Sequence, residues 1–60
     1  MELWIARDRG GILRIYDNKP KVDKRKQEIM SIGGYYEINI NLFPEVTFEN
    51  SPQKVKISLI

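Results

Sequence analysis

The sequence predicts an all-β fold, a small antiparallel sheet of five to six short strands in hairpins, rolled into an open barrel or a two-layer β roll. Two observations carry that expectation. Short runs rich in β-branched and aromatic residues alternate with period two, and the stretches between them hold the Gly, Asn, Asp and Pro residues that tight turns need. Sixty residues make one domain, 1–60, near the lower limit for independent folding, where about 60% of the unfolded chain's surface can be buried. Marginal stability or self-association is expected at this size.

The first hairpin joins Glu2–Arg7 to 12–16 across Asp8-Arg9-Gly10-Gly11. A three-residue loop with Gly11 in the left-handed position sets Ile5 opposite Ile15, Arg7 opposite Leu13 and Trp4 opposite Tyr16. Leu3, Ile5, Leu13 and Ile15 then share an apolar face, with Trp4, Ala6, Arg14 and Tyr16 on the other. A two-residue loop would reverse that parity. The second hairpin is read from Gly33-Gly34, a pair suited to a type I′ turn, which would join 28–32 to 35–40 and place Ile29 opposite Ile38. The third pairs Val46, Thr47 and Phe48 with 55–59 across Asn50-Ser51-Pro52-Gln53, so that Phe48 faces Val55 and Val46 faces Ile57. The chain enters it through a turn at Asn41-Leu42-Phe43-Pro44. Residues 19–27 are polar and charged and read as a loop, although the spacing of Val22 with Ile29 and Met30 also admits a short helix.

Composition removes most catalytic chemistry. There is no cysteine, hence no disulfide, thiol nucleophile or thiolate metal site, and no histidine, the side chain that most often serves as general base. The eight Asp and Glu residues are scattered over different elements without acid/base or calcium-loop spacing. Gly10-Gly11 and Gly33-Gly34 are turns, since neither opens a helix with a phosphate-loop pattern. The chain is therefore not expected to be an enzyme, and no cofactor, metal or small-molecule substrate is indicated. The first residues lack the pattern of a signal peptide and no run is long enough to span a membrane, so a cytoplasmic protein is expected.

Two surfaces could meet a partner. Lys19, Lys21, Lys24, Arg25 and Lys26 crowd into eight residues against Asp23 alone, a loop suited to phosphates or simply to solubility. Trp4, Arg7, Arg14 and Tyr16 would make an aromatic and cationic face on which bases could stack, or else a packed cross-strand pair. Tyr35 and Tyr36 flank the glycine pair and point to opposite faces, so one of them is left as a contact for a protein partner.

The strings Leu-Trp-Ile-Ala-Arg-Asp at 3–8 and Leu-Phe-Pro-Glu-Val-Thr-Phe-Glu at 42–49, with Lys19-Pro20, Pro52 and Val55, resemble a set of small proteins of gut anaerobes and their phages for which no activity is known. The basic middle of this chain departs from the acidic middle of that set. The resemblance implies a phage or mobile-element accessory protein and assigns no ligand or site residue. The leading expectation is thus a non-catalytic module that binds a protein, a second copy included, through a sheet edge or an aromatic surface, with 58–60 as one candidate edge and homodimerisation as a corollary. Nucleic-acid binding through the basic loop and the aromatic/Arg face is the alternative.

Overall fold

In the computed structural model, which describes residues 2–56, the chain is all-β, with no helix among the described residues. Six strands form: β1 (Glu2–Arg7), β2 (Leu13–Tyr16), β3 (Lys21–Asp23), β4 (Glu28–Met30), β5 (Tyr35–Ile38) and β6 (Gln53–Lys56). Four make an antiparallel sheet in the order β5-β2-β1-β6, and β3 and β4 make a separate two-stranded ribbon, so no barrel closes among the described residues.

The first hairpin forms in the expected register, with Trp4 opposite Tyr16, Ile5 opposite Ile15 and Arg7 opposite Leu13. Its loop is closed by the Asp8 amide on the Ile12 carbonyl at 2.9 Å, and Gly11 stands at φ 95°, where a side chain would be strained. The Asp8 carboxylate accepts the Ile12 amide at 3.0 Å, so this one residue braces the turn with backbone and side chain together.

The expected second hairpin does not form. β5 pairs with β2, placing Tyr35 opposite Tyr16 and Ile38 opposite Leu13, while β4 pairs with β3 and sets Val22 against Ile29. Neither Gly33 nor Gly34 takes a positive φ. Their smallness serves close passage instead: the Asp17 amide donates to the Gly34 carbonyl at 3.2 Å, and a Cβ at Gly33 would overlap the Asp17 and Asn18 side chains. The segment 19–27 is neither all loop nor helix. Asp23 turns it, its carboxylate accepting the Arg25 and Lys26 amides at 3.0 and 3.1 Å, and Gln27 closes the turn at φ 57°.

The expected third hairpin is also replaced. Val46 to Phe48 lies in a run of turns fastened by Thr47, Asn50 and Ser51, whose side chains take up the backbone groups that a ladder would have used. β6 pairs with β1, with Val55 opposite Leu3 and Gln53 opposite Ile5. Ile57 and the candidate edge at 58–60 lie outside the described residues. Burial nevertheless follows the apolar pattern, since Ile5, Leu13 and Val46 form the core, with Ile15, Ile38 and Val55 packed against it. The turn at 41–44 is present, the Leu42 amide donating to the Asn39 carbonyl at 3.0 Å.

Candidate functional site

Strand pairing lines up four side chains across the sheet face opposite the core: Lys54, Trp4, Tyr16 and Tyr35 stand on directly opposed positions of β6, β1, β2 and β5. The Tyr16 and Tyr35 rings are tilted at 36° with centroids 5.7 Å apart, an ordinary aromatic pairing. Cations already cover this row. The Arg14 guanidinium lies 5.6 Å from the Tyr35 centroid, and the ammoniums of Lys19 and Lys54 lie 5.3 and 5.9 Å from the Trp4 ring. Tyr16 itself is buried, Trp4 is half-buried and Tyr35 is exposed. The face is a cation-capped aromatic layer rather than an open stacking platform.

Burial pushes the Tyr16 phenol above its ordinary value near 10, with Arg14 pulling in the opposite direction. A phenol whose pKa is raised on folding stabilises the folded state fully below about pH 10 and loses that contribution as pH climbs through the higher folded value. Urea unfolding between pH 8 and pH 11 should therefore show a steeper alkaline loss for the natural protein than for Tyr16→Phe. Equal slopes would mean that the phenol is hydrated in the folded state.

Arg7 is taken up by the backbone rather than left free for a partner. Its five N–H donors all reach carbonyls: Nε donates to Val46 at 2.6 Å, Nη1 to Gly11 and Ile40 at 3.0 and 3.1 Å, and Nη2 to Leu42 and Phe43 at 3.1 and 3.2 Å. The guanidinium clamps the 40–46 segment over the first hairpin. Sequence reasoning took Arg7 as a contact residue because four of its five carbonyl partners are backbone atoms 33 to 39 positions along the chain, which no side-chain motif announces.

Lys24 is likewise engaged. Its ammonium donates to the Phe48 and Glu49 carbonyls at 2.6 and 2.8 Å and lies 4.6 Å from the Phe48 ring centroid. Arg9 lies 5.6 Å from the same centroid and pairs with Glu49 at 2.8 Å. Among the described residues Lys21, Arg25 and Lys26 make no ion pair. Lys19, Lys21, Lys24 and Arg25 line one open groove of about 770 Å³ between the ribbon and Ser51-Pro52, whereas Lys26 stands outside it at the ribbon tip.

One surface was foreseen only in part, through Tyr35 and Tyr36. β5 is an edge strand, and the chain around it exposes Ile32, Tyr35, Tyr36 and Ile40 at 61%, 51%, 78% and 57%. The signal for it was the low polarity of 28–40, which the glycine hairpin had accounted for internally. Among the described residues no three acidic side chains come together as a metal site, and no helix is long and apolar enough to cross a membrane. No known protein family, curated protein or solved structure matches the chain.

Proposed function

We propose that this protein is a non-catalytic binding module, a cytoplasmic accessory of phage or mobile-element type, whose β5 edge accepts a strand from a protein partner, a second copy included. The observation that carries this reading is the conjunction of a strand edge that no other described strand pairs with exposed large apolar side chains around it. Edge strands are ordinarily blunted by lysine, proline, bulges or a covering loop. In β5, Tyr35–Ile38, the only charge is Glu37. A partner strand would gain backbone hydrogen bonds along β5 and bury tyrosine and isoleucine side chains, the residue types on which interface energy concentrates. The resemblance of 3–8 and 42–49 to small proteins of gut anaerobes and their phages supports the accessory role.

The test is photo-crosslinking. With a light-activated phenylalanine analogue at position 36, a discrete protein adduct that persists at high salt is expected in extracts of the producing cells or with the purified protein. The same analogue at position 54, on the opposite edge strand, should give none. Nucleic-acid adducts, or equal yields at both positions, would overturn the reading. Single-stranded nucleic acid laid across Trp4 and Tyr35 has less support, because the rings are already covered by Lys19, Lys54 and Arg14.

A further inference from the structure

The groove between the β3–β4 ribbon and the Ser51-Pro52 segment adjoins the β5 edge surface, sharing Ile32 with it, and has a different chemistry. Four of the chain's ten basic side chains, Lys19, Lys21, Lys24 and Arg25, line it. They are opposed there by Asp23 alone, and one oxygen of that carboxylate already holds the Arg25 and Lys26 amides. Between the cations the lining is aliphatic: Val22, Met30, Ile32 and Pro52. Among the described residues the ribbon has two strands, so β3 and β4 each keep an outer edge that no other described strand pairs.

We propose that this groove binds an extended acidic peptide segment carrying aliphatic side chains at alternate positions. Extended backbone presents successive side chains to opposite sides, so one set lies on the Val22, Met30 and Ile32 floor while carboxylates on the other meet Lys21 and Arg25, the rim cations that are neither bonded to carbonyls, as Lys24 is, nor seated over a ring, as Lys19 is. Met30 suits such a floor, since its unbranched side chain adapts to different aliphatic partners. The remaining occupants fit less well. Single-stranded nucleic acid needs aromatic platforms, and none of the lining residues is aromatic. A small anionic ligand needs enclosure over most of its surface, whereas the cations of the rim and Met30 and Ile32 of the floor are all exposed.

The test is fluorescence anisotropy with a short fluorescein-labelled peptide alternating glutamate and leucine, at physiological salt. The matching peptide with serine for every leucine and a labelled oligothymidylate serve as comparisons. Binding of the glutamate–leucine peptide is expected, and Lys21→Glu combined with Arg25→Glu should weaken it by about tenfold, since two rim attractions become repulsions. Ile32→Ser, at an exposed position outside every strand, should weaken it without affecting the fold. Amide shifts should fall on 21–25 and 30–32. No binding, equal binding of the serine peptide, tighter binding of oligothymidylate, or shifts confined to β5 would overturn the proposal. The position-36 crosslink is unaffected by Lys21→Glu and Arg25→Glu if the two surfaces are independent, so failure of one reading is distinguishable from failure of the other.

Discussion

Arg7→Ala should cost about 2 to 3 kcal/mol of folding stability, measured by urea unfolding, although Arg7 is a charged residue that is not fully buried. The two part-buried bonds, to the Val46 and Gly11 carbonyls, account for that figure, because a charge-assisted hydrogen bond contributes about 1.5 to 3 kcal/mol and the vacated carbonyls regain only part of it from water. The three bonds to Ile40, Leu42 and Phe43 are exposed and rehydrate more cheaply. A domain of this size has roughly 3 to 9 kcal/mol in total, so the variant should be partly unfolded well below the natural midpoint. Arg7→Lys is expected to recover little, since an ammonium cannot present five donors in a planar fork. A loss below about 1 kcal/mol for Arg7→Ala, the range of an exposed polar contact, would show that the clamp is not what holds the 40–46 segment.

Phe48→Ala should have an effect of similar or larger size, about 3 kcal/mol, because the ring is 6% exposed and its removal leaves a void under Lys24 and Arg9. Phe48→Leu should cost about half as much, restoring volume without the ring face. The consequence extends beyond global stability. Lys24 ties the β3–β4 ribbon to this residue, so amide exchange at Val22 and Ile29 should accelerate in Phe48→Ala more than exchange at Ile5 and Ile15. Uniform acceleration across both pairs would show that the ribbon is held by something other than the Lys24 and Phe48 contact.

What could be read in the sequence follows the distance over which each element is decided. The first hairpin is local: Asp8, Gly11 and the alternation of 3–7 with 13–16 fix its turn, register and faces together, and all three match. The all-β class follows from the same alternation. The second and third hairpins failed because a plausible local turn lost to a nonlocal pairing. Gly33-Gly34 fits a type I′ turn on paper, yet Tyr35 pairs with Tyr16 and Ile38 with Leu13, a fully buried residue of the core, instead of with Ile32 and Ile29. Likewise Val55 finds Leu3 on the central strand, and Val46 and Phe48 reach the interior from turns, so burial was legible while strand partnership was not. The Asp23 turn was the readable signal in 19–27, a side-chain cap hidden among lysines.

The candidate site divides in the same way. That Trp4, Arg14 and Tyr16 share a face follows from the first hairpin's parity and is so, but Tyr16 is buried and the cations over Trp4 come from Lys19 and Lys54, outside that hairpin. Arg7 and Lys24 were counted as available cations because their partners are main-chain carbonyls, all but that of Gly11 lying 24 to 39 positions away. Residue type alone does not distinguish a cation facing solvent from one that closes a loop.

The sheet order has a consequence for how the chain reaches this structure during synthesis. The earliest of these six strands in chain order, β1, lies between β2 and β6, and its clamp residue Arg7 is bonded to carbonyls of residues 40–46. A ribosome-bound chain stopped anywhere before β6 can form the first hairpin but leaves the other edge of β1 open and the Ile5 side of the core incompletely covered. Docking must therefore wait until residues 53–56 have left the ribosome, and the nascent chain carries an unsatisfied apolar edge until then.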